Sequence, residues 1–118
     1  MRKIIIATAA VAALAIAGQA SAHARLLIGA PKNGATVAAP NALTLHYSEE
    51  LIPEASHVTV TGPAGAAVAT GPLTVDKTKK IATIPFTAKP AAGAYKVAWH
   101  AKTEDGHETD GTFAFTVK

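Results

Sequence analysis

The chain has no cysteine, and its only methionine is Met1. No disulfide staples the fold. A metal held beyond Met1 would have only nitrogen and oxygen donors, without the thiolate or thioether that soft ions select. Aromatic residues are few, at three Phe, two Tyr and one Trp. Most of them fall on core-facing positions, which leaves little for an extended aromatic binding platform. Only one long apolar run exists, residues 4–18. It is shorter than the roughly 20 residues that a membrane span requires.

That run has the surroundings of a secretory leader. Arg2 and Lys3 precede it, and residues 19–22, with small side chains at Ala20 and Ala22, follow it as a cleavage segment. Residues 1–22 are therefore read as a cleaved signal peptide and residues 23–118 as a single domain, exported to the periplasm. Removing 22 residues leaves 96, with nine basic and eight acidic side chains, a formal charge of +1 against +3 for the whole sequence. The basic character is thus partly that of the leader and does not argue for nucleic acid binding. Ninety-six residues suit one modest core. No later stretch is long and apolar enough to cross a membrane.

The remainder reads as all-β. Proline and glycine recur at short intervals, and the segments between them alternate apolar and polar residues. Leu43, Leu45 and Tyr47 alternate with Thr44 and His46. Val58 and Val60 alternate with Thr59 and Thr61. Tyr95, Val97, Trp99 and Ala101 share one face of a long strand, as do Phe113, Phe115 and Val117. Further strands are expected at residues 25–30, 65–69 and 81–86. Seven short strands with frequent turns suit a β-sandwich, and Gly93-Ala94-Tyr95 resembles the tyrosine corner of immunoglobulin-like sandwiches.

Such a sandwich brings three distant segments to one pole: the start of the first strand at His23, Glu49-Glu50, and residues 104–107. Cleavage after Ala22 would make His23 the N-terminal residue, offering a metal both its α-amine and its ring Nδ1. Asp105-Gly106-His107 is a turn signal, since glycine accepts positive φ, and by itself it describes an ordinary hairpin with an exposed histidine. Taken with His23, it completes a set of three nitrogens and one carboxylate oxygen. That set suits tetragonal Cu(II), with zinc as a competitor in a more tetrahedral arrangement.

In these segments the chain resembles the CopC family of periplasmic copper-resistance proteins. The shared features are His23-Ala24 with Leu26-Leu27, Ala30-Pro31 with Asn33-Gly34, the stretch LTLHYSEEL at residues 43–51, Gly93 to Trp99, Asp105-Gly106-His107, and Gly111 to Phe115. They run in order over nearly all of residues 23–118. The resemblance implies a seven-stranded Greek-key β-sandwich that binds one Cu(II) per chain through His23, its amine included, with Asp105 and His107, and with Glu49 nearby. It also implies an inner-membrane copper protein of the CopD type as a partner. Some relatives carry a second, methionine-rich Cu(I) site in the mid-chain loop. Residues 62–74 here contain neither methionine nor histidine, so the chain resembles the Cu(II)-only variety.

The other histidines read differently. His46 is expected at the surface or behind the site, and His57 and His100 at the surface; Trp99 and Tyr95 are expected in the core. The leading functional reading is a monomeric, non-catalytic Cu(II) carrier or buffer. A copper monooxygenase is the alternative, because an N-terminal histidine and a second histidine also form its ligand set. A metal-free structural sandwich is a third reading, which leaves the His23 junction to chance.

Overall fold

The computed structural model describes residues 24–118. Nine strands form, and none of the described residues is α-helical. In chain order they are β1 (Leu26–Ala30), β2 (Thr36–Val37), β3 (Ala42–Tyr47), β4 (His57–Thr61), β5 (Ala67–Val68), β6 (Thr74–Val75), β7 (Ile81–Pro85), β8 (Gly93–Lys102) and β9 (Glu108–Val117). The seven strands expected from alternation are all present. The two additional ones, β2 and β6, have two residues each.

Two sheets pack face to face. One has the order β1-β3-β7-β6 and the other β2-β9-β8-β4-β5. All pairings are antiparallel except that of β2 with the end of β9. The alternation explains the layering, because successive side chains of a strand point to opposite faces. Leu43, Leu45 and Tyr47 of β3 and Ala82 and Ile84 of β7 face Tyr95, Val97, Trp99 and Ala101 of β8 and Phe113, Phe115 and Val117 of β9, and all are buried. Tyr47 meets Trp99 edge-on with ring centroids 5.2 Å apart, and Tyr95 stacks on Phe115 at 5.3 Å. The Tyr95 hydroxyl donates to the Ala91 carbonyl at 2.6 Å, the closing bond of the tyrosine corner.

Trp99 needs one particular neighbour. Its cross-strand partner is Gly111, where a Cβ would lie 2.3 Å from the indole Cζ2. Only glycine leaves room for the ring, which ties a single residue of β9 to the placement of the largest core side chain.

The hairpin of β8 and β9 dominates the five-stranded sheet. Its ten register pairs run from Gly93–Val117 to Lys102–Glu108 without interruption, and it carries residues 103–107 at its tip.

Candidate metal centre

The tip of this hairpin is a tight turn organised by Thr103. That residue is buried, and its hydroxyl donates to the Asp105 carboxylate and lies 3.2 Å from the His107 carbonyl oxygen. The Thr103 amide donates to His107 at 2.9 Å, and the Gly106 amide to Thr103 at 2.9 Å. Gly106 has φ +91°, the left-handed conformation that the Asp-Gly signal anticipates. The His107 amide completes the turn with a 3.3 Å bond to Asp105 Oδ1.

These bonds set two side chains against each other. His107 Nδ1 lies 3.0 Å from Asp105 Oδ2. The Thr103 hydroxyl, with help from His107, holds the Asp105 carboxyl down at about 2. The carboxylate is therefore ionised throughout the ordinary pH range. Two donors sharing one ion at about 2.0–2.2 Å and a right angle are themselves about 3 Å apart, so the observed spacing fits a chelating pair.

Two other segments reach the same pole. The first is residues 48–52, which zip onto the end of β8: Leu51 bridges Thr103, the Ile52 amide donates to Lys102 at 2.8 Å, and the Glu104 amide donates to Glu50 at 3.1 Å. Glu49 is exposed there. It lines, with Glu50, Lys80, Thr103, Glu104 and Asp105, a cleft of about 210 Å³. Lys79 closes one side of this acidic cluster through a 3.1 Å ion pair with Glu104.

The second is the start of the described chain. Ala24 is 4% exposed, and its carbonyl accepts a 3.1 Å bond from Thr109 Oγ1, two residues beyond His107. The Arg25 amide donates to Ser48 Oγ at 2.8 Å, and the Ser48 amide returns to the Arg25 carbonyl at 2.9 Å. Ala24 and Arg25 are thus held between the neighbour of Glu49 and the strand that follows His107. His23 and residues 1–22, expected as a leader, lie outside the described residues. Among the described residues, no three His, Cys, Asp or Glu side chains converge as a metal cage; the pole supplies the Asp105–His107 pair, with Glu49 beside it.

The remaining histidines divide. His46 is on β3, between Ile28 and Ile81 in register, on the outer face of the four-stranded sheet. His57 is exposed as expected, but it stacks on His100 with centroids 5.0 Å apart. His100 lies on the outer face as expected, but its side chain is only 23% exposed and touches two carboxylates. The signal was present in the sequence as outward-facing Glu108 and Asp110, but only strand register shows which of them face His100.

The profile of the CopC domain matches residues 26–118. The chain belongs to the CopC family. Protein YobA of Escherichia coli (strain K12) is 36% identical over 99 residues, covering 82% of this chain and 80% of that protein. Copper resistance protein C of Pseudomonas syringae pv. tomato is 32% identical over 113 residues, covering 91% and 90%. The crystal structure of PcoC, a methionine-rich copper resistance protein from Escherichia coli, has a TM-score of 0.75 at 30% identity, over 82% of this chain and 100% of that one. The present CopC-family chain shares that β-sandwich, but Met1 is its only methionine.

Proposed function

We propose that residues 1–22 are removed on export and that the processed protein is a periplasmic Cu(II) carrier or buffer, binding one ion through His23, Asp105 and His107. The observation that carries this reading is the Asp105–His107 pair, 3.0 Å between donor atoms, at the pole where Ala24 is anchored. Ala24 follows His23 directly, and consecutive Cα atoms are only about 3.8 Å apart. A free N-terminal histidine there would add an amine and an imidazole to the pair. Three nitrogens and one carboxylate favour a tetragonal ion, and Cu(II) stands at the top of the stability order for such donors. Family membership and the copper-resistance names of the relatives support the choice of metal.

The role of each residue follows from its surroundings. Thr103 orients Asp105 and keeps it ionised. Asp105 balances part of the ion's charge, and His107 contributes a ring nitrogen. Glu49 lines the same cleft as Asp105, where it would orient a ligating group as carboxylates around metal sites do. Four protein donors around one ion would leave oxygen no strong open position, which favours holding copper over oxidising a substrate. The same pole is the surface through which a CopD-type membrane partner would receive the ion.

The deciding experiment is a Cu(II) chelator competition on two forms, one beginning at His23 and one carrying a single extra residue before it. The extra residue converts the amine into an amide and breaks the chelate, so affinity is expected to fall by orders of magnitude. Equal affinity of the two forms would falsify the site.

A further inference from the structure

A second group of metal-ligating side chains stands on the outer face of the five-stranded sheet, away from the pole. His57, His100 and Asp110 are direct cross-strand neighbours on β4, β8 and β9, and Glu108 lies two residues before Asp110 on the same face. Directly opposed residues in antiparallel strands have Cβ atoms only about 5 Å apart, so these four side chains occupy one small area. Lys102 is the register partner of Glu108 on this face.

The contacts have the logic of a metal site. His100 Nδ1 lies 2.6 Å from Asp110 Oδ1, and Nε2 lies 3.0 Å from Glu108 Oε1. Ligating histidines commonly donate their remote N–H to a carboxylate, which fixes the tautomer and points the other nitrogen at the ion. Asp110 is placed for that role on Nδ1. The 3.0 Å between Nε2 and Oε1 then equals the separation of two adjacent donors on one ion with bonds of about 2.0–2.2 Å. His57 is stacked on the same ring and supplies a further imidazole once it turns about its own side-chain bonds. That rotation is required, because no three such side chains already converge among the described residues.

We propose that His100 and Glu108, with His57 as a third donor and Asp110 orienting His100, form a second metal site that takes borderline divalent cations such as Cu(II) or Zn(II). The ion replaces the proton on His100 Nε2, and that proton passes to solvent. Proton and metal therefore compete for one nitrogen, and the two carboxylates that hold the imidazolium also offset the charge of the cation. With fewer preset donors than the pole would have, this site is the weaker of the two. It does not depend on His23.

The test is a titration of the processed protein with Cu(II) to two equivalents, followed by NMR of the histidine rings. The second equivalent is expected to broaden the His57 and His100 resonances selectively and to release a proton. A His107→Ala variant, which impairs the polar site, should retain this weaker binding. A His57→Gln/His100→Gln variant should lose it, Asp110→Asn should weaken it about tenfold or more, and His46→Gln on the opposite sheet should leave it unchanged. The proposal is overturned if the second equivalent broadens other residues, if it persists in the double variant, or if the unmodified protein takes up no second ion. The ring spectrum of the unmodified protein decides the matter even if a variant fails to fold.

Discussion

The hydroxyl of Thr109 donates to the carbonyl oxygen of Ala24 at 3.1 Å, across a sequence separation of 85 residues. It ties the first described residue to the strand that leaves His107. If Ala24 positions the amine of a processed His23, this bond contributes to copper affinity without touching the ion. Thr109→Val, which keeps the shape and removes the donor, is expected to weaken Cu(II) binding roughly two- to tenfold, the equivalent of one ordinary hydrogen bond of about 0.5–1.5 kcal/mol. Chelator competition measures it, and unchanged affinity would show that the anchor is irrelevant to the site.

The pH dependence of copper binding should come from nitrogen. Asp105 is held at about 2 and stays ionised at any pH where the protein would be studied. Imidazoles and amines in general must lose their protons before they can ligate a metal. Apparent Cu(II) affinity is expected to fall steeply below about pH 6. A flat profile between about pH 5 and 8 would indicate ligation by carboxylates alone.

His100 predicts a stability effect of opposite sign to that of a buried carboxylate. Its hydrogen bonds to Asp110 and then Glu108 raise its pKa above the ordinary 6.5. The folded protein thus binds this proton more tightly than the unfolded chain does. The stabilisation is complete below the unfolded value of about 6.5 and is lost as pH rises through the folded value. In metal-free protein, the Tm advantage over His100→Gln should shrink as pH is raised from below 6.5 into the alkaline range. A constant difference would mean that the ring acts only by packing.

Gly111→Ala tests the placement of Trp99. The new methyl group would meet the indole at 2.3 Å, which forces the ring or the strand to move. Overpacking of this kind costs about 1–3 kcal/mol. Denaturant unfolding should show that loss, and near-ultraviolet circular dichroism should report a changed tryptophan environment. A fully stable variant with an unchanged spectrum would contradict the close approach.

Much of this architecture was legible in the chain because period-two alternation is a local property. Leu43-Leu45-Tyr47 and Phe113-Phe115-Val117 reveal their buried faces without reference to any partner. Thr36–Val37 and Thr74–Val75 do not, because two residues carry no period and are strands only by virtue of β9 and β7. The Asp105-Gly106-His107 turn is visible for a similarly local reason, while nothing local marks Thr103, two residues upstream, as the buried residue that organises it. His100 reads as a plain surface residue because its partners are set by register. Nothing in residues 95–102 alone shows that Asp110 lies directly opposite.

The unbroken ten-pair hairpin has a mechanical consequence for the proposed pole. Asp105 and His107 ride on a five-residue tip between two long, fully paired strands, so this half of the site behaves as a stiff plate. Ala24 and Arg25, by contrast, are held by individual bonds to Thr109 and Ser48. Compliance is therefore one-sided: an acceptor that takes the ion would gain its opening by peeling back the amino-terminal end, because bending the hairpin would strain the whole sheet.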